Sequence, residues 1–382
     1  MNRYNIPLSV PEIKSNEWKY VKDCLDQGWV SSAGEYVDRF EKTLAGYVGS
    51  KHAVATVNGT SALHVSLVAC GIIPDDEVIV PALTFIAPAN VVSYCNAHPV
   101  LMDCDEQTLC MDVHKVVTFL SNECIQRTDG NTYNKATNRK IKAIIPVHVF
   151  GHPTDMDELV NICSKKNIDI IEDATESLGS VYKDIKTGSI GRIGCFSFNG
   201  NKIITTGGGG MAVTNDSRLA SRLKHLTIQA NKDPLEYDHD EVGYNYRLSN
   251  IQAAMGIAQM EKIDEFIAIK RKHARLYKEL LSGSKSYTLF WEMPWARSNF
   301  WFYTIRVAPE TKKPLMNFLL SKGIQVRSIW KLMQNLPMYQ NCQSYKIEVA
   351  DKIYNSCFNI PCSVNLTDDE IKFIAESIAE YF

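Results

Sequence analysis

Among the charged residues of this chain, Lys202 has the most unusual neighbours: Ser197-Phe-Asn-Gly-Asn-Lys-Ile-Ile-Thr-Thr-Gly-Gly-Gly-Gly-Met211. A lysine is by default a solvated surface residue. Here residues 194–198 alternate small and aromatic side chains as a strand does, while Ile203, Ile204 and the run Gly207 to Gly210 follow. Consecutive glycines allow backbone to approach a ligand or another segment closely, at an entropic cost a plain spacer avoids. Lys202 therefore reads as facing inward, and a desolvated amine has a lowered pKa and can form a Schiff base with a carbonyl. A phosphate-binding loop fails as an alternative, because no Gly-Lys-Ser/Thr follows the glycines and Met211-Ala-Val-Thr214 reads as a strand. A tight turn with an incidental lysine stays open.

Further candidates precede Lys202. Asp173 ends the apolar run Ile168-Asp-Ile-Ile-Glu-Asp, where a carboxylate can hold a protonated pyridine nitrogen or merely cap a helix. Glu176 lies three residues on and faces the same site or completes such a cap. Asn58-Gly-Thr-Ser-Ala-Leu63 follows a strand and opens a helix, so Gly59, Thr60 and Ser61 offer donors to a phosphate, or simply start a helix. Ser197 can add a hydroxyl, and Phe85, just past a strand, can stack on a flat ring or enter the core. His148 and His152 have metal-like spacing, but Gly151 and Pro153 exclude the helix that would align them, so no metal is expected. His148 reads instead as a residue at the sheet's end.

The elements that must position these groups follow from hydrophobic periodicity. Residues 15–27 suit a helix, with Ser15 as N-cap and Trp18, Val21 and Leu25 on one face; helical spacing resumes over 36–47. Strands are expected at 53–57, 77–80, 99–103, 143–147, 168–172, 194–198 and 211–214, with helices such as 61–70, 87–94 and 155–165 between them. Such alternation predicts a mostly parallel, seven-stranded sheet covered on both faces, whose ligands sit beyond the carboxyl ends of strands. Residues 127–140 read as an exposed loop or hairpin. A helix begins at Ser249, with Gln252 completing a capping box, and runs to about Leu281. It links a large domain (1–248) to a smaller α+β domain (249–382) containing a strand at 301–307 and a final helix at 367–381.

The chain's 382 residues allow two domains with ample core. A net charge of −2, from 41 basic and 43 acidic residues, gives no electrostatic case for nucleic acid or an anionic membrane. Eleven cysteines without C-x-x-C pairs suggest reduced core thiols. With neither a leader pattern nor a membrane-length apolar run, a soluble cytoplasmic protein is expected.

A phosphate-type turn, a stacking aromatic, a strand-end Asp, a Ser and a Lys thus occur in order along one α/β domain. Pyridoxal 5′-phosphate needs all five services. Glu172-Asp-Ala-Thr-Glu-Ser-Leu-Gly179, Phe196-Ser-Phe-Asn-Gly-Asn-Lys202, Thr206-Gly-Gly-Gly-Gly-Met211 and Gly243-Tyr-Asn-Tyr-Arg-Leu-Ser-Asn-Ile-Gln-Ala-Ala254 together resemble the DegT/DnrJ/EryC1/StrS family, over nearly the whole chain. These are fold-type-I, pyridoxal-phosphate-dependent sugar aminotransferases. The resemblance implies that Lys202 is the Schiff-base lysine, that Asp173 pairs with the pyridine nitrogen, and that Thr60, Ser61 and Ser197 hold the phosphate. Phe85 would stack on the ring, with Glu176 near its phenolic oxygen, where many relatives have Gln or His. It implies a homodimer with shared sites, Asn245 reaching the partner's phosphate and Arg247 the nucleotide-sugar. Relatives that dehydrate sugars replace the lysine by histidine, so Lys202 favours transamination.

A finer resemblance is to the branch acting on UDP-4-keto-6-deoxy-N-acetylglucosamine, on routes to bacillosamine and legionaminic acid. It rests on Asn5-Ile-Pro-Leu-Ser-Val-Pro, Gly28-Trp-Val-Ser-Ser, Arg327 with Trp330 before Leu336-Pro-Met-Tyr339, and Pro361-Cys-Ser-Val-Asn-Leu366. It implies Trp29, Ser31, Arg327 and Trp330 as substrate contacts and L-glutamate as amino donor. Rival readings are GDP-perosamine synthesis, a 3-keto-sugar transamination, and a non-catalytic pyridoxal-phosphate-binding regulator or scaffold. Retention of both Lys202 and Asp173 weighs against the last.

Overall fold

In the strand Glu77–Pro81 the positions 78–80 are apolar in succession because both of its faces are covered. Val78 and Val80 point into one hydrophobic cluster, with the helix Gly59–Ala69, and Ile79 into another, with the helix Val113–Asn122. The structure, a computed structural model, describes residues 5–233 and 235–382; residues 1–4, which begin the N-terminal stretch read above for a leader, lie outside it. The sheet order is His52–Thr56, Gly210–Thr214, Ile193–Ser197, Asp169–Asp173, Ile141–Ile144, Glu77–Pro81, His98–Met102 and Ser344–Tyr345.

All seven expected strands are present, six of them within a residue at each end; the one expected at 143–147 runs Ile141–Ile144, two residues earlier at its start and three at its end. The eighth is a two-residue edge strand from the C-terminal region, parallel to His98–Met102; two residues carry no readable period. Gly210–Thr214 runs antiparallel to both of its neighbours, while the pairs on the other side of the sheet are parallel. The loop or hairpin expected at 127–140 is in part a hairpin that starts earlier, Cys124–Gln126 against Thr132–Asn134, and it is not wholly exposed, since Thr132 and Asn134 are buried. All cysteines have free thiols, every one but Cys342 buried. Among the described residues no helix is long and apolar enough to cross a membrane.

Further expectations need correction. The first helix is Glu17–Gln27, preceded by Asn16, and Ser15 does not cap it. Its inner face is not the Trp18–Val21–Leu25 stripe: Trp18 is 82% and Leu25 55% exposed, while Glu17 and Cys24 are buried. This helix docks through polar anchors, Gln259 donating to the Glu17 carboxylate at 2.6 Å and the Asn250 amide to Cys24 Sγ at 3.3 Å.

The long helix begins with the expected Ser249–Gln252 capping box but breaks into Asn250–Met260 and Ile263–Leu280. At the break the Glu261 carboxylate accepts from Asn16 and Tyr20, at 2.7 and 2.6 Å, tying the first helix down. The C-terminal strand starts at Tyr303 rather than Trp301; Trp301 and Phe302 turn toward the sheet's carboxyl edge. A second sheet runs Tyr287–Leu289, Tyr303–Val307, Cys357–Ile360, Arg327–Ser328, and the last helix, Asp368–Glu380, opens with a Thr367–Glu370 capping box.

Candidate active site

Lys202 is held on a loop whose two ends are pinned together. Phe198 N–H donates to the Gly209 carbonyl at 2.8 Å, Thr206 N–H to that of Phe198 at 2.9 Å, and Lys202 N–H to that of Asn199 at 3.0 Å. Gln252 clamps the glycine run from outside, donating to Gly208 at 2.6 Å. Two glycines here are obligatory. Gly209 has φ +155°, and a Cβ on Gly210 would lie 2.4 Å from the Asn58 carbonyl carbon, in backbone that cannot yield. Gly210 therefore brings the lysine loop against the turn opening the helix Gly59–Ala69, where Asn58 Oδ1 accepts from Ser61 N–H at 2.7 Å.

Asp173 ends its strand at the carboxyl edge, 3% exposed, and no helix follows it. Its carboxylate accepts from Thr175 N–H at 3.1 Å. Burial raises its pKa, against the lowering pull of Thr175 and of the nearby Lys202 and His148. Glu176 is equally buried; its Oε2 accepts from Phe150 N–H at 2.8 Å and its Oε1 lies 3.8 Å from Lys202 Nζ. Burial also raises the Glu176 pKa, Lys202 opposing and Asp173 adding to the rise. Lys202 moves the other way: desolvation lowers its pKa, only partly offset by Glu176 and then Asp173. Its Nζ sits 3.8 Å from the ring centroid of Trp301, whose indole N–H donates to the Asn201 carbonyl at 2.6 Å.

These groups border one cavity of about 330 Å³. Of the residues singled out from sequence, Gly59, Thr60, Phe85, Asp173, Glu176, Ser197, Lys202, Arg327 and Trp330 line it. Phe85 presents a half-exposed ring, and Trp330 stacks on Phe150 at 4.6 Å. Ser61 is buried in the first helical turn, its N–H already taken by Asn58. Trp29, Ser31, Asn245 and Arg247 are exposed and do not line their own chain's cavity. The carbonyls of Trp29 and Ser31 instead accept from the side chain and backbone N–H of Asn250.

Sequence reasoning missed Trp301, Asn58 and Asn201 as cavity residues. The aromatic run 300–303 was visible, but its period pointed to a strand.

Both candidate metal-binding imidazoles are fully engaged. His148 accepts from Thr154 N–H at Nδ1 (3.0 Å) and meets the buried Glu172 carboxylate through Nε2 (2.9 Å). His152 accepts from Met293 N–H at Nε2 and contacts the Pro153 carbonyl through Nδ1, and burial lowers its pKa to about 4. Among the described residues, His225, Asp240 and Glu241 have ligand-like spacing, but Arg222 already pairs with Glu241.

An inward amine, a buried acid and a glycine-lined turn at the carboxyl edge of a parallel sheet set the frame for comparison with known proteins. The profile of the DegT/DnrJ/EryC1/StrS aminotransferase family matches residues 11–379. The chain belongs to this family. This aminotransferase is 38% identical over 371 residues to the GDP-perosamine synthase of Caulobacter vibrioides, covering 96% of this chain and 95% of that one. It is 37% identical over 383 residues to that of Escherichia coli O157:H7, covering 99% and 98%. A family member from Brucella abortus superposes with a TM-score of 0.88 at 27% identity, over 96% of this chain and 95% of that one.

DegT-family aminotransferases are pyridoxal-phosphate-dependent sugar aminotransferases, and so is this one. Its residues fit the cofactor. The Asp173 carboxyl, buried at a cost, is suited to an ion pair with a protonated ring nitrogen. A Cβ on Gly59 would fall 2.8 Å from Ser197 Cβ, so the turn and that serine already close a tight cup for a phosphate.

Proposed function

We propose that the enzyme moves the amino group of L-glutamate to C4 of a nucleotide-linked 4-keto-6-deoxy sugar. The first candidate is UDP-2-acetamido-2,6-dideoxy-4-keto-glucose, giving UDP-4-amino-4,6-dideoxy-GlcNAc. The observation that carries the transamination reading is the convergence of Lys202, lowered in basicity, and Asp173 on one cavity. The UDP-sugar reading is supported by the Gly28-Trp-Val-Ser-Ser and Arg327–Trp330 stretches.

Pyridoxal phosphate, when bound, supplies an aldehyde carbon that carries the amino group and a ring that accepts an electron pair. Asp173 would hold a proton on the ring nitrogen, which would make that acceptance favourable. Lys202 Nζ, uncharged more readily than a solvated amine, takes the proton from the donor's Cα; in the second half it delivers one to C4 of the sugar. Thr60, Ser197 and the Gly59 N–H would hold the phosphate, and Phe85 would fix the ring plane. Arg327, exposed at the cavity wall, offers a cation to the glutamate carboxylate or the sugar diphosphate. The active unit in this reading is a homodimer, in which the exposed Asn245 and Arg247 of each copy enter the other's cavity.

GDP-perosamine synthesis is the second reading, favoured by the names of the two relatives above. Incubation with L-glutamate and UDP-, GDP- and dTDP-4-keto-6-deoxy sugars, read by product mass, separates the two. Amination of the GDP sugar alone replaces the first reading by the second. Amination of none of them overturns both.

A further inference from the structure

We propose that Asn299, which does not line the cavity, is the positioning residue that fixes Glu176 and Trp301 around the Lys202 amine. Asn299 is completely buried. Its Nδ2 donates to two carbonyls, those of Glu176 and Leu178, each at 3.0 Å, and its Oδ1 accepts from Trp301 N–H at 2.9 Å. Its own N–H donates to Ser180 Oγ at 2.9 Å. One side-chain amide thus holds the main chain of two residues beside Lys202 Nζ: Glu176, its carboxylate at 3.8 Å, and Trp301, its ring centroid at 3.8 Å.

The same amide also governs where the Glu176 carboxylate points. That carboxylate is held by Phe150 N–H, and Phe150 is a bulky residue at φ +54°, a conformation that persists only where surrounding contacts impose it. Its successor Gly151, at φ +93°, packs directly on Asn299: a Cβ there would lie 2.0 Å from Oδ1. Ser180 and Ser298 lock this turn from the other side, both hydroxyls donating to the Gly151 carbonyl at 2.6 and 3.0 Å. On the Trp301 side, the indole N–H reaches the Asn201 carbonyl, one residue before Lys202.

The chemistry of the position is restrictive. Two carbonyls and one N–H must be met at once, and among neutral side chains of this size only a primary amide offers two donors and an acceptor. Aspartate has the same shape but, once ionised, presents only acceptors to two carbonyl oxygens. Alanine leaves all three partners buried and unmet, so the 176–178 segment and Trp301 must shift. Displacements of about 1 Å around a reacting group can cost on the order of 10²-fold in rate.

The inference rests on Lys202 being the amine that works on the cofactor, and not on the identity of the sugar. The test compares wild type, Asn299→Ala and Asn299→Asp as cofactor-loaded protein. Measurements are the pH midpoint of the visible absorbance, the rate and KM of the glutamate half-reaction, and Tm. The expected result is a midpoint displaced by about half a pH unit or more, a half-reaction slowed by roughly 10²-fold with KM within about threefold, and a deficit in Asn299→Asp that deepens as pH rises and its carboxyl ionises.

A lowered Tm with an unmoved midpoint and rate marks a purely structural residue and overturns the proposal. Should Asn299→Ala fail to fold, the isosteric Asn299→Asp decides alone by the same criterion. A wild-type protein whose spectrum ignores L-glutamate refutes the donor assignment instead, and the midpoint comparison still tests Asn299.

Discussion

Lys202 Nζ and Glu176 Oε1 lie 3.8 Å apart inside the protein, an amine and an acid whose basicities burial drives toward each other. A solvated lysine and glutamate would both be charged at neutral pH. Here desolvation favours the neutral form of each. An amine of lowered basicity is the kind of group that general acid–base catalysis uses.

Lys202→Ala is expected to abolish transfer, lowering turnover by at least about 10³-fold, because among the described residues no other lysine or histidine borders the cavity. Product formation by mass spectrometry and loss of the lysine-linked visible absorbance are the measurements. Near-normal turnover in this variant removes the assignment of Lys202.

Glu176→Gln tests the buried acid through stability. The Glu176 pKa in the fold is raised from 4.5 to about 7, so the fold prefers its protonated form. Its contribution is fully present below about pH 4.5 and is lost as pH rises through 7, where the cost of burying the charge reaches on the order of 1–3 kcal/mol. The stability of Glu176→Gln relative to wild type should therefore climb between about pH 4.5 and 7 and level off above. Denaturation of the cofactor-free proteins across that window reads the difference; a flat difference shows that the carboxyl is not strained by burial.

Phe85→Ala removes a half-exposed ring from the cavity wall. Losing an aromatic stack costs about 0.5–1.5 kcal/mol, so cofactor retention should weaken by roughly two- to tenfold, with little change in Tm of the cofactor-free protein. An unchanged cofactor Kd sinks the stacking role.

Gly210→Ala puts a Cβ 2.4 Å from the Asn58 carbonyl carbon. Overpacking of backbone against backbone is expected to cost about 1–3 kcal/mol, and to weaken cofactor binding by spreading the phosphate turn from the lysine loop. Thermal denaturation with and without cofactor measures both effects. Wild-type values on both counts rule out the close approach.

Seven strands of the sheet, the turn at 58–61, the capping box at Ser249 and the turn near 129 are set by local chemistry: apolar runs, side-chain caps and turn residues act within a few positions, so their signal survives in one dimension. Asp173 at a strand end and Lys202 beside its glycines were legible for the same reason. The face of the first helix was misread because polar partners from 225 or more residues away, Gln259 and Asn250, bury Glu17 and Cys24 in place of Trp18 and Leu25. The eighth strand and the break at Glu261–Lys262 likewise depend on distant partners.

Sequence alone therefore determined which groups can do chemistry and the order of the elements carrying them. Only the tertiary structure decided what surrounds the amine. Trp301 over its Nζ, Glu176 beside it and Asn299 behind both come from segments 26 to about 100 residues from Lys202. Their effect is desolvation and hydrogen bonding across packed surfaces, which no periodicity in a linear chain encodes.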